Sequence, residues 1–150
     1  MKQILVMMAA VVLVGCEKFS PPVKIANPII EESVRISLQK PRGKLTEADL
    51  RKVTGLDLSL TTITDAGFKE VAKLQKLEVL NLKGTEITNA GIKELAKLQN
   101  LEWLSVQNSQ ITFAGVYELL GVLPNCTIPL DKLPDTNKTH KSKTRKSKTP

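Results

Sequence analysis

Few residues in this chain could act as a base, a nucleophile or a metal ligand: one histidine, two cysteines and fifteen carboxylates in 150 residues. His140 stands in a lysine-rich C-terminal stretch, so no histidine-based general base, catalytic triad or clustered metal site can be built around it. Asp57, Glu78 and Glu102 fall near predicted strands, where they read as solvated surface rather than as an acid/base pair. Gly67, Gly91 and Gly115 recur at one fixed interval, so they are repeat positions and not a phosphate-cradling loop. The sequence therefore predicts no enzyme, no cofactor and no metal, and its remaining chemistry lies in Cys16 and in surfaces.

Cys16 ends a distinctive segment. Met1-Lys2-Gln3 precedes an apolar run from Ile4 to Val14, and polarity returns at Gly15-Cys16-Glu17-Lys18. A charged start and a short apolar core are the parts of a secretory signal peptide. The run is well short of the roughly 20 apolar residues that a membrane-crossing helix needs. Leu13-Val14-Gly15-Cys16 closely resembles the lipobox of bacterial lipoproteins. That resemblance implies diacylglyceryl transfer to the Cys16 thiol, cleavage before Cys16 and acylation of the new amino terminus. One acyl chain anchors only marginally, whereas two or three bind stably. In enteric-type sorting an Asp after the cysteine would imply retention at the inner membrane; here the residue is Glu17, so an outer-membrane lipoprotein facing the periplasm or the cell surface is expected.

The central region repeats itself. A shift of 24 residues superposes Leu56-Asp57-Leu58 on Leu80-Asn81-Leu82, Leu104-Ser105-Val106 and Ile128-Pro129-Leu130. The same shift aligns Ile63, Ile87 and Ile111; Thr64, Thr88 and Thr112; Val71, Leu95 and Leu119; and Leu74, Leu98 and Val122. Each unit predicts a short strand, a turn and a helix, with the threonine as helix N-cap. One unit cannot bury its own apolar face, but stacked units can. The recurring glycines predict tight packing where helix meets sheet or turn. Leu-x-x-Leu-x-Leu followed by Ile-Thr-Asp-Ala-Gly-Phe-Lys-Glu resembles leucine-rich repeats of the ribonuclease-inhibitor and cysteine-containing type, and most nearly the short bacterial Ile-Thr-Asp-Ala-Gly-Leu-like repeats. The resemblance covers about residues 45–130. It implies an α/β fold: a short right-handed solenoid with a parallel concave sheet, convex helices and a helical N-terminal cap. In place of the usual Asn after the strand stand Thr61, Thr85 and Ser109, whose hydroxyls can still bond turn backbone; the helix-start Asp65 becomes Asn89 and then Phe113.

The resulting organisation is a signal peptide (1–15), a lipidated cysteine and linker (16–27), N-terminal capping helices (28–53), leucine-rich repeats (54–131) and a disordered basic tail (132–150). Asn27-Pro28 can start a helix carrying Ile30, Val34 and Leu38 on one face, stopped by Pro41. Cys126 reads as a half-buried small apolar residue, with a reactive or intermolecular thiol as the alternative. Charge divides sharply along the chain. The formal net charge is +7, yet residues 16–131 hold 14 basic and 14 acidic residues, whereas 132–150 hold seven basic residues and Asp135 alone. A neutral folded part argues against a nucleic-acid groove. The tail is either a solvating extension or an attachment to anionic envelope polymer or lipid headgroups.

The predicted function is a lipid-anchored envelope protein that binds an unknown protein partner on its concave face; the rival reading is a structural lipoprotein whose tail grips anionic polymer. In Leu101-x-x-Leu104-x-Val106 the leucine ladder points inward, so Trp103, Ser105 and Gln107 should face the concave side. Val79, Asn81 and Lys83 are their equivalents one unit earlier, and Gly55, Asp57 and Ser59 one before that. Trp103, the single tryptophan, is either an exposed binding anchor beside Val79 or a residue covered by the flanking cap.

Overall fold

The computed structural model describes residues 20–131. The predicted signal peptide, Cys16, and the C-terminal stretch with His140 lie outside the described residues. The chain begins with helix α1 (Pro28–Ser37) and the one-turn helix α2 (Glu47–Leu50). Three strand-and-helix units follow: β1 (Gly55–Asp57) with α3 (Asp65–Phe68), β2 (Val79–Asn81) with α4 (Asn89–Ile92), and β3 (Trp103–Ser105) with α5 (Phe113–Val122). Among the described residues the strands form one parallel sheet in the order β1-β2-β3. Its register pairs Leu56 with Leu80 and Leu80 with Leu104, so strands align with an offset of one 24-residue repeat. An isolated parallel bridge from Trp103 to Thr127 extends the sheet at the β3 edge.

The core consists of the predicted ladders. Leu56, Leu80 and Leu104, Leu58, Leu82 and Val106, and Ile63, Ile87 and Ile111 are all buried. Phe68, Ile92 and Val116 add a further buried row on the helical side. The hydrogen bonds repeat as faithfully as the residues. Thr61, Thr85 and Ser109 donate their hydroxyls to the carbonyls of Leu58, Leu82 and Val106 at 2.6, 2.8 and 2.6 Å. Leu60, Gly84 and Asn108 occupy one left-handed backbone position, with φ of 57°, 69° and 54°.

Between units runs a polar ladder. The Asp65 carboxylate accepts from the Thr88 backbone N–H at 2.9 Å and from its hydroxyl at 2.6 Å. Asn89 repeats the arrangement one unit later, accepting from the Thr112 N–H at 3.0 Å and donating to its Oγ1 at 2.9 Å. These side chains lie directly over the recurring glycines: a Cβ on Gly91 would collide with Asp65 Oδ1, and one on Gly115 with Asn89 Oδ1. Asn27 occupies the same place over Gly67.

The helical halves differ from the amphipathic helices that were predicted. In the first two units a single α-turn gives way to a 3₁₀ segment, Val71–Lys73 and Lys93–Lys97, whereas α5 is a continuous α-helix. With three residues per turn, buried Val71 is followed in phase by buried Leu74, and Leu95 by Leu98. With 3.6 residues per turn the phase moves on by one, so Leu119 is followed by buried Leu123, and Val122 is 47% exposed. The sequence-based match of Val122 to Leu74 and Leu98 is corrected accordingly. The threonine caps are also uneven. Thr88 accepts from Ala90 N–H and Thr112 from Gly115 N–H, but Thr64 makes no side-chain cap bond. The upstream Asx residue that would hold Thr64 is Asn27, and its oxygen is committed to the Ile29 and Ile30 N–H groups at the start of α1.

α1 buries Ile30 and Val34 and ends before Pro41, its chain turning at Gln39 with φ of 52°. It is anchored beside the first strand by Ser37 Oγ, which donates to the Gly55 carbonyl at 2.8 Å. α2 is closed by a reciprocal capping box of Thr46 and Asp49.

Candidate functional site

On the face opposite the leucine ladder the strands present three rows, because alternate residues point to opposite sides of a sheet. The first row is Gly55, Val79 and Trp103 and the second is Asp57, Asn81 and Ser105; the third, Ser59, Lys83 and Gln107, stands in the turns that follow the strands. α1 turns the first two rows into a groove of about 470 Å³. Ser33, Ile36 and Ser37 make one wall, and Gly55, Asp57, Val79, Asn81 and Trp103 make the floor. Two aliphatic side chains are open to water there: Ile36 at 70% and Val79 at 45% exposure. Trp103 is half-buried, so it is neither a core residue nor a free surface ring.

Of the sequence-predicted site residues, the groove brings together Asp57, Val79, Asn81 and Trp103. Lys83 is exposed on the third row beyond it. Gln107 is also on that row, half-buried, with its amide donating to Asp131 at 2.7 Å. Ser105 is only 5% exposed and offers a ligand little surface. Sequence reasoning missed the wall. Ile36 stands off the Ile30, Val34 and Leu38 face of its helix, and an apolar residue on the polar side was the available signal.

Asp57 is the ionised group of the floor. The side chain and backbone N–H of Ser59 hold its carboxyl below the usual range, with the amide of Asn81 adding to them. Its Oδ1 accepts from Ser59 N–H at 2.8 Å. Cys126 is buried, and burial pushes its thiol up to about 11, which suits a packing residue and leaves little nucleophilic thiolate at neutral pH. Among the described residues no group of three or more His, Cys, Asp or Glu stands close enough to hold a metal ion. No helix among them is long and apolar enough to cross a membrane.

Stacked strand-and-helix units with a parallel sheet on one side make this a repeat-built solenoid with one open sheet face. The leucine-rich-repeat family model matches residues 49–72 and 73–96. Among curated proteins none matches the chain. Among solved structures it is similar to an internalin (inlF) from Listeria monocytogenes, with 22% identity and a TM-score of 0.53 over 77% of this chain and 42% of that one. It is also similar to the CBM51-2 and INT domains of ZmpB from Clostridium perfringens, with 24% identity and a TM-score of 0.50 over 63% of this chain and 19% of that one. The chain thus spans less than half the length of either structure, and at these identities the likeness concerns the fold. Stacked repeats of this kind expose an extended, regular surface on the sheet side.

Proposed function

We propose that this protein is a lipid-anchored envelope protein that holds a protein partner in the groove between α1 and the open sheet face. The observation that carries the reading is the groove floor itself: exposed Val79 and half-buried Trp103 lie beside ionised Asp57 and Asn81, walled by exposed Ile36. An apolar centre with a polar margin and an aromatic anchor is the composition that protein interfaces favour. In this reading the repeats form a right-handed solenoid whose concave face carries the groove, and residues 28–53 cap its first strand. The lipobox-like Leu13-Val14-Gly15-Cys16 supports a lipid on Cys16, with 1–15 removed and 16–27 spacing the domain from the outer membrane. Lys83 and Gln107 on the third row extend the contact surface, and Ser105 supports it from below.

Two substitutions test this with opposite sterics. Trp103→Ala removes the anchor and should weaken partner binding by about 2 kcal/mol or more, a typical hot-spot cost. At Gly55 a Cβ would meet nothing within 4 Å, so Gly55→Leu enters the groove from open space. A partner cross-linked from the native envelope should be lost with both variants while each keeps the circular dichroism spectrum of the folded domain. Retention of that partner by both would refute the assignment of the groove.

A further inference from the structure

The described chain ends against the open face. Thr127 pairs with Trp103, and Asp131 accepts from Gln107 of the third row. The described chain therefore ends on the β3 side of the open face, two rows along from Trp103. We infer that the basic segment 138–148 of this same chain occupies the groove in the free protein and has to be displaced by a partner. The inference rests on the reading of the groove as a binding surface, and adds its resident occupant.

Three observations converge on this occupant. The first is charge. The strands and the residues flanking them carry Asp57, Glu78, Glu102 and Asp131 against Lys83, all exposed. The 132–150 segment carries seven Lys or Arg against Asp135. Asp57 is the charged residue of the groove floor, and Glu78 and Glu102 stand immediately ahead of β2 and β3. The second is side-chain chemistry. Trp103, Val79 and Ile36 offer an aromatic face for cations and apolar surface for the aliphatic stems of Lys and Arg.

The third is reach. Moving back from the row of Asp131 to that of Trp103 takes about four residues of strand, roughly 13 Å, and crossing from β3 to β1 adds roughly 10 Å. Nineteen residues extend to roughly 60 Å, more than enough after a reversal. Leu133-Pro134-Asp135-Thr136-Asn137 has turn-forming composition just where that reversal is needed. Tethering supplies an effective concentration of about millimolar, so even weak exposed ion pairs keep the segment seated. The same weakness leaves it displaceable.

The single tryptophan reports on occupancy. Acrylamide quenching of Trp103 fluorescence should be measured on the full chain, on one with Lys138, Lys141, Lys143, Arg145, Lys146 and Lys148 changed to Gln, and on one with Asp57→Asn, Glu78→Gln and Glu102→Gln. The quenching constant should rise at least twofold in both variants. It should rise similarly in the wild type when ionic strength increases from about 0.01 M to about 1 M, which shortens the screening length from about 30 Å to about 3 Å. Equal quenching throughout, with matching circular dichroism spectra, would overturn the inference while leaving partner capture, and the proposed function, intact. Protection that falls on dilution of the wild type would overturn it in favour of a second copy of the chain.

Discussion

Gly91→Ala should destabilise the domain, against the rule for helices. Ala normally exceeds Gly in a helix interior by about 1 kcal/mol, and Gly91 lies within α4. Here a Cβ would collide with Asp65 Oδ1 and approach Asp65 Cγ and Ile87 Cγ2 at 3.0 Å each. To make room, the Asp65 carboxylate must move and weaken its bonds to the Thr88 N–H and hydroxyl at 2.9 and 2.6 Å. Hydrogen bonds to charged groups contribute about 1.5–3 kcal/mol each, and overpacking costs about 1–3 kcal/mol. Partial loss of the two bonds outweighs the helix gain, for a net destabilisation of about 1–3 kcal/mol. At about 4 °C per kcal/mol for a domain of this size, calorimetry would read a fall in Tm of roughly 4–12 °C. Gly121→Ala is the internal control: it sits in α5 with nothing within 4 Å of its Cβ, and should stabilise slightly. In an Asp65→Ala background the Gly91→Ala penalty should largely vanish. If Gly91→Ala alone melts at or above the wild type, the cross-repeat contact is not what demands glycine there.

Leu60 is held at φ 57°, the position that Gly84 and Asn108 fill in the other units, and it is 80% exposed. Leu60→Gly should therefore stabilise by about 1 kcal/mol, and a lowered urea midpoint would refute it. The Asp49 carboxyl is held down at about 2 by its bond from Lys40 and those from Thr46. A folded pKa below the unfolded one means stabilisation that is complete above about pH 4 and lost as pH falls towards 2; solvent exposure of Lys40 limits it to about 1–2 kcal/mol. Asp49→Asn should flatten that part of the acid-unfolding curve, and an unchanged curve would count against the assignment. Cys16→Ala should abolish incorporation of labelled fatty acid and leave a precursor or soluble form; persisting label would remove Cys16 as the lipid site.

The ladders of this fold were legible because they are written in apolar residues at a constant interval, and burial of those residues leaves one way to stack them. Less legible was the helix type. The same apolar spacing suits a 3₁₀ segment when Leu74 or Leu98 follows three residues after Val71 or Leu95, and an α-helix when Leu123 follows four after Leu119. Packing against the neighbouring unit decides between them, and local propensity does not. Thr64 shows the same limit. It matches Thr88 and Thr112 in sequence but lacks their upstream Asx partner, because Asn27 is engaged elsewhere. The groove was half-legible: strand alternation placed Val79, Asn81, Asp57 and Trp103 on one face, but the wall comes from α1 across a distance in sequence that no period describes.

The variation among repeats has a physical pattern that bears on function. Facing inward, the position of Leu56 is leucine again at 80 and 104, because each must fill the same layer. Facing outward, the neighbouring position runs Gly55, Val79 and Trp103, rising in size from β1, beside α1, to β3. Nothing in the stacking requires that gradient, since a Cβ at Gly55 would meet open space. Its effect is geometric: the small end leaves depth where Ile36 forms the wall, and the large end raises an aromatic face on the other side. Packing over-determines the inner face and the Asx–glycine ladder between the units. The outward row is therefore where sequence can change without cost to the fold, and where specificity for a partner is free to be set.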